Sequence, residues 1–370
     1  MNEPLKILPS LNALRFFAFF YVFLLHIPGF EGNQFLGKTI LAGNASGVDF
    51  FFTLSGFLIT YLLFNEKLAN ANINGRKYFL RRSLRIWPLY FLAVGIAYFN
   101  NYITQIFHMG NADGYVPNPL FSVTFLENYQ MIRYNNFPNG APLRIFWSLC
   151  VEEHFYFIWF LLFTLVSLKN LYQSFIVLWI IGIAYRIGFH VLFPDKMYDD
   201  IDVISKMDFF CAGGFSGLLI ASNFDRIKTF FIKTPIYLRY IGVFIFVFLF
   251  YSNRIFPGLP FRYIYAPALS AILYSLLLLV VTTTKWVNFK ETSVFSRLGK
   301  ISYGLYVFHT LVIVTLLFLF KLSGINTDTF LMTSLFAFVA LSLSVVISAL
   351  SYRFFEKPFL QLKSRYQVRH

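Results

Sequence analysis

Charge is what this sequence has least of. Only 13% of its 370 residues are Asp, Glu, Lys or Arg, where soluble domains carry about 25%. A chain that is also 58% hydrophobic has too few polar groups to cover a water-facing surface, and the hydrocarbon core of a bilayer is its natural solvent. Cysteine is nearly absent. Cys150 and Cys211 both lie in apolar stretches and point to neither a disulfide framework nor a zinc site. The first ten residues lack the basic region of a cleavable signal peptide, and no small-residue cleavage site follows the first apolar run. That run is therefore expected to stay as a helix. No internal repeat is evident, and no soluble domain is expected at either end.

What the sequence has in plenty is apolar length. A spanning helix needs roughly 20 mostly apolar residues, and ten segments qualify: 11–30, 46–65, 84–100, 145–167, 172–193, 205–222, 236–252, 263–284, 301–320 and 330–353. The sixth is the weakest, being short and rich in glycine (Gly213, Gly214, Gly217). The expected fold is all-α: a single polytopic membrane domain over residues 1–370 with about ten transmembrane helices.

The net charge of +14 would suggest nucleic acid in a soluble protein. Here the basic residues fall between apolar runs, so the charge reads as topogenic and no nucleic-acid partner is expected. In a ten-span arrangement, four basic segments share one side. They hold Lys67 to Arg85, Arg226 to Arg239, Lys285 to Lys300, and Lys357 to Arg369. The opposite loops are poorer in Lys and Arg and include Asp199, Asp200 and Asp202. The positive-inside rule then places both termini in the cytoplasm. The longest loop, 101–143, lies outside. It is too short for an enzyme domain but long enough to cover a site.

Ionisable residues inside spans are expensive and are functional candidates by default. Arg15 and His26 are eleven positions apart on the first span: just over three helical turns and roughly 16 Å of rise, so one face at two depths. Alternatively Arg15 snorkels to the inner interface and His26 bonds a neighbouring helix. On the second span, Asp49 is either a cap or a functional carboxylate, and Ser55-Gly56 allows close helix packing. Arg81, Arg82 and Arg85 at the start of the third span can grip phosphates or anchor topology. The segment from Trp147 to Tyr156 carries Glu152, Glu153 and His154 inside an apolar helix. The two carboxylates point about 100° apart, so they do not aim alike at one site. Ser302, Tyr306 and His309 share one face of the ninth span. Arg353 and Glu356 have the spacing of a helical ion pair.

Taken in order, Arg15 with His26, Gly47 to Phe57, Arg81 to Tyr90, Trp147 to Tyr156, Ser302 to His309 and Ser351 to Pro358 resemble the acyltransferase family 3 membrane proteins. The resemblance runs from residue 15 to residue 358. It implies a cytoplasmic (inner) membrane O-acyltransferase without metal. Such an enzyme carries an acyl group, commonly acetyl, from cytoplasmic acyl-CoA to a hydroxyl of an extracytoplasmic glycan or glycolipid such as lipopolysaccharide. It implies that Arg15 and His26 are central and that Arg81, Arg82 and Arg85 help bind the donor; the mechanism expected on that footing has Glu152 or Glu153 orient His26 as general base. Asp49, Ser55, Trp147, Tyr306 and His309 are expected on the substrate side. Some relatives add an SGNH hydrolase-like domain at the C-terminus. None is expected here, so transfer would finish in the membrane domain or with a separate periplasmic partner. The rival readings are a secondary transporter, which would more often show related halves, and a non-catalytic glycolipid-binding or flipping protein.

Overall fold

The computed structural model describes residues 8–30, 47–106, 114–194, 201–250, 262–325, 327 and 329–364. The described residues form an all-α bundle with no β-strand, only an isolated bridge between Tyr115 and Pro138. The long helices are α1 (Leu8–Leu25), α2 (Gly47–Asn70), α3 (Gly75–Ile106), α6 (Trp147–Leu165), α7 (Leu171–Leu192), α8 (Met207–Lys233), α9 (Ile236–Phe250), α10 (Arg262–Thr283), α12 (Ser302–Leu322) and α13 (Phe330–Ser351). Shorter helices are α4 (Pro119–Val123), α5 (Glu127–Tyr134), α11 (Val294–Lys300) and α14 (Lys357–Ser364).

Each of the ten apolar segments falls on one of the long helices. Six helical stretches among the described residues are long and apolar enough to cross a bilayer by themselves: Gly47–Asn70, Trp147–Leu165, Leu168–Leu192, Tyr263–Thr283, Ser302–Leu322 and Phe330–Leu362. The chain is a multi-pass membrane protein. Helices α1 and α9 are apolar but shorter. Helices α3 and α8 are longer than a span and carry charged ends, which dilutes their hydropathy. Asp199, Asp200, Arg365 and Arg369 of the charge pattern lie outside the described residues.

The glycine-rich segment that looked weakest as a span sits at the centre of the bundle. Residues Met207 to Gly214 of α8 are all buried. A Cβ added at Gly213 would stand 1.9 Å from the Thr53 carbonyl oxygen of α2, and one at Gly56 2.2 Å from the Phe210 oxygen of α8. The two backbones touch because neither helix carries a side chain there. In lipid, where apolar burial gives helices little reason to associate, such close backbone packing is a main source of cohesion. Aromatic rings fill the adjoining space: Phe155 stacks on Phe210 at 4.0 Å and Trp159 on Phe175 at 5.2 Å. The Trp159 indole N–H donates to Thr60 Oγ1 at 2.8 Å.

Sequence inspection passed over a second device in this region. Arg186 of α7 is 2% exposed and grips Asp208 of α8 through two hydrogen bonds of 2.8 and 2.6 Å, while also donating to the Ser205 carbonyl at 2.6 Å. Charge and geometry are both matched there.

The connection between α3 and α6 is folded where it is described. Its α4 and α5 are joined by Glu127, a fully buried carboxylate that accepts hydrogen bonds from Ser122 Oγ at 2.5 Å and Tyr115 Oη at 2.6 Å. Burial pushes the Glu127 carboxyl above its ordinary range, and the Ser122 and Tyr115 hydroxyls pull it partly back. Asn128 donates to the Ile201 carbonyl at 3.0 Å, tying this segment to the one that leads into α8.

At the other end of the chain, α13 runs into a π-helical turn, Tyr352–Glu356, before α14. The extra residue per turn breaks the i, i+3 phase that would pair Arg353 with Glu356. Arg353 is exposed, its guanidinium near the Phe354 ring, whereas Glu356 is buried and accepts from Ser351 Oγ at 3.2 Å.

Candidate active site

Helices α1, α2, α3, α6 and α12 enclose a cavity of about 100 Å³. Its polar lining comprises Arg15, Ser55, Arg82, Arg85, Ser148, Glu152, Tyr156, Ser302, Tyr303 and Tyr306, set among apolar groups such as Val48, Phe51, Leu54 and Ile86. Three guanidinium groups thus face a single carboxylate.

Each charged group arrives there for a local reason. On α3, positions three apart lie on one face, so Arg82 and Arg85 both reach the cavity. Arg81, rotated by about 100°, instead pairs with Glu66 of α2 at 2.9 Å. Glu66 also accepts from the backbone N–H of Asn74 at 3.1 Å, so it braces the corner between α2 and α3. Arg82 is 8% exposed, and its guanidinium carbon lies 5.5 Å from the Tyr156 ring and 5.9 Å from the Tyr78 ring. Such cation–π contacts steady a guanidinium without neutralising it. Arg15 donates to Asn12 Oδ1 at 2.7 Å, one turn back on α1.

Glu152 Oε1 is held by two hydroxyls. Ser55 Oγ donates at 2.6 Å and Tyr156 Oη, one turn along α6, at 2.5 Å. Opposite them, Tyr306 Oη and Ser148 Oγ share a 2.6 Å hydrogen bond, and Tyr306 also reaches the Ile145 carbonyl at 3.1 Å. Tyr303 Oη donates to the Ile86 carbonyl at 2.8 Å and fixes α12 against α3.

The histidines stand beyond this cavity. His26 follows the last residue of α1, in the turn that ends the helix, and is exposed. Its Nδ1 meets the Val22 carbonyl oxygen at 2.8 Å. A carbonyl oxygen only accepts, so Nδ1 carries the proton and Nε2 is left as the basic nitrogen. The His309 ring lies edge-on to it, with centroids 5.0 Å apart. His309 is fully buried; its Nδ1 donates to the Tyr306 carbonyl at 2.7 Å, and its Nε2 is buried with no hydrogen-bond partner among the described residues. The Tyr306 ring lines the cavity and lies 5.7 Å from His309, so it links the cavity to the histidine pair.

The structure therefore brings Arg15, Ser55, Arg82, Arg85, Glu152 and Tyr306 to one cavity, with His26 and His309 adjoining one another behind it. Other candidates stand apart. Arg81 belongs to the α2–α3 corner. Asp49 is paired with Lys206 at 3.2 Å. Trp147 packs edge-on against Phe52 at 6.2 Å. Glu153 does not line the cavity, and its Oε1 is buried with no hydrogen-bond partner among the described residues; His154 stacks on Tyr129 of α5 at 5.5 Å. Sequence inspection gave no role to Tyr156 or Ser148. The i, i+4 spacing of Glu152 and Tyr156 was a readable signal for the first; Ser148 needed the partner helix.

A family model described as an acyltransferase domain matches residues 8–353. Among curated proteins, the O-acetyltransferase OatA of Staphylococcus aureus is 25% identical over 97% of this chain and 58% of its own length. The peptidoglycan O-acetyltransferase OatA of Listeria monocytogenes is 30% identical over 45% of this chain and 26% of its own. The putative peptidoglycan O-acetyltransferase YrhL of Bacillus subtilis is 26% identical over 54% and 32%. The chain thus spans between about a quarter and three-fifths of the length of these relatives. No solved structure matches.

Proposed function

Because this chain belongs to acyltransferase family 3, we propose that it is a membrane O-acetyltransferase whose arginine-lined cavity receives the anionic end of acetyl-CoA and whose His26 serves the acceptor. The observation that carries this reading is the charge mismatch of the cavity. Like charges crowded in a poorly solvated space repel one another and lose hydration. Three guanidinium groups against one carboxylate make sense where an anion completes the site. Arg binds phosphate through two parallel hydrogen bonds, and a CoA thioester brings phosphates at one end and a reactive carbonyl at the other.

The basic segments support ten spans with both termini in the cytoplasm. In that orientation Arg82 and Arg85 stand toward the cytoplasm, where acyl-CoA is made, and His26 toward the outside, where a cell-wall glycan is found. The names of the relatives make peptidoglycan the first acceptor to try, ahead of lipopolysaccharide. In the transfer step, the acceptor oxygen bonds to the thioester carbonyl carbon and its proton passes to His26 Nε2. The carbon–sulfur bond breaks, and the departing CoA thiolate takes the proton back from the imidazolium. General-base catalysis of this kind contributes about 100- to 10,000-fold. Glu152, held by Ser55 and Tyr156, balances part of the arginine charge, and Tyr306 aligns the wall between donor and acceptor.

The test is release of free CoA thiol from acetyl-CoA by the purified, detergent-solubilised protein, with and without muropeptides, and detection of the O-acetylated product by mass spectrometry. Acceptor-dependent release is expected. Donor binding without acetylation of any hydroxyl acceptor in a glycan panel would contradict the reading.

A further inference from the structure

Acyl transfer needs a hydrogen-bond donor for the thioester oxygen, because negative charge collects there as the acceptor oxygen adds. Three hydroxyls around the cavity have their protons taken up. Ser55 and Tyr156 donate to the Glu152 carboxylate at 2.6 and 2.5 Å, and such charge-assisted bonds are stronger than a bond to a neutral carbonyl. Tyr303 donates to the Ile86 carbonyl at 2.8 Å. Tyr306 is placed differently. Its Oη lies 2.6 Å from Ser148 Oγ and 3.1 Å from the Ile145 carbonyl oxygen, and Ser148 Oγ lies 3.0 Å from that same carbonyl. Two hydroxyl protons serve three contacts, and a carbonyl supplies none. One side of this triangle is therefore always without a proton. With Ser148 donating to Tyr306 Oη, the Tyr306 proton turns toward the cavity at the loss of one bond to the Ile145 carbonyl, and the shortest contact is kept. Tyr306 also stands where the two substrates must meet. It lines the cavity, and its ring lies 5.7 Å from His309, whose own ring is 5.0 Å from His26.

We propose that Tyr306 is a catalytic residue that donates a hydrogen bond to the thioester oxygen. As the acceptor oxygen bonds to the carbonyl carbon, the π pair moves onto that oxygen, and Tyr306 Oη holds it while keeping its own proton. When the pair returns, the carbon–sulfur bond breaks and the CoA thiolate leaves. Ser148 is a positioning residue: by donating to Tyr306 Oη it fixes the phenol and makes it a stronger donor. This role rests on the reading of the cavity as the site of an acyl-CoA thioester.

The experiment joins infrared difference spectroscopy to transfer kinetics. The full-length protein in detergent is titrated with acetyl-CoA isotope-labelled at the thioester carbonyl. The carbonyl stretch of the bound donor should lie below that of free acetyl-CoA and return toward the free value in Tyr306→Phe. This variant keeps the ring, so it should bind CoA, which lacks the thioester carbonyl, with an unchanged Kd. Its kcat for acetylation of muropeptides should fall about 100- to 1,000-fold. Ser148→Ala leaves the phenol in place and should lower kcat about three- to tenfold, with a smaller return of the stretch. This milder variant decides the matter if Tyr306→Phe does not fold. An unchanged stretch or kcat in well-folded Tyr306→Phe overturns the proposal and passes the oxygen to a guanidinium. A weaker Kd for CoA with kcat retained overturns it too, leaving Tyr306 as a wall of the cavity. So does a Ser148→Ala protein unchanged in both stretch and kcat. Absence of acetyl-CoA binding by the unaltered protein would instead sink the donor reading, and this proposal with it.

Discussion

Two sites that draw arginines into this bundle have opposite designs. At the α7–α8 contact, Arg186 meets Asp208 in a two-pronged ion pair and uses its remaining reach on the Ser205 carbonyl. Between α1, α2, α3, α6 and α12, Arg15, Arg82 and Arg85 share one cavity with Glu152, whose Oε1 is taken up by hydroxyls. The first set pairs one positive charge with one negative charge and holds two helices together. The second carries an excess of positive charge around an empty space. Burial alone does not distinguish a scaffold ion from a functional one; the state of its charge balance does.

The two designs should respond differently to mutation. The largest effect on activity is expected at His26, which adjoins the second group. His26→Gln keeps polarity and much of the volume but takes up no proton at neutral pH, so transfer should fall about 100- to 10,000-fold while CoA still binds. Near-normal transfer in this variant would move the base to His309, whose buried Nε2 has no hydrogen-bond partner among the described residues. The largest effect on stability is expected at the matched pair. Arg186→Ala leaves Asp208 buried and alone and should cost about 3–5 kcal/mol, read as loss of monodisperse protein or a lowered unfolding midpoint in detergent. Arg186→Met combined with Asp208→Leu should recover most of that loss. A neutral Arg186→Ala would erase the contrast between the two groups. The smallest effect is expected at Arg81. It pairs with the buried Glu66 at the α2–α3 corner, so Arg81→Ala should cost about 1–3 kcal/mol of stability and leave the CoA dissociation constant nearly unchanged. A tenfold weaker donor would return Arg81 to the cavity.

The sequence showed the helices and most of the cavity, and its misreadings have physical causes. Hydropathy ranked the Gly213–Gly217 segment lowest because glycine is not hydrophobic. In a membrane, glycine works through the backbone approach it permits, here α8 on the oxygens of α2. Of Arg81, Arg82 and Arg85 on α3, the i, i+4 spacing makes Arg81 and Arg85 neighbours. Spacing does not say which stripe of a helix faces inward, and Glu66, which captures Arg81, lies fifteen residues upstream across a helix corner. Regular 3.6-residue phasing predicted an Arg353–Glu356 pair, and the π-turn cancelled it. Glu152 and Tyr306 were legible as polar residues on apolar helices. Their partners Ser55 and Ser148 come from elsewhere in the fold, and only packing joins them.

Direct binding of CoA tests whether the unmatched arginines receive an anionic donor. Calorimetric titration of the purified protein should give a dissociation constant that rises with salt, as screening weakens the phosphate contacts. In the Arg82→Ala, Arg85→Ala double variant it should be tenfold weaker or worse, since charge-assisted hydrogen bonds are worth roughly 1.5–3 kcal/mol each. The unfolding midpoint of that variant should be unchanged or raised, because the mutual repulsion is relieved. Equal CoA affinity in the two proteins, both well folded, would contradict the account.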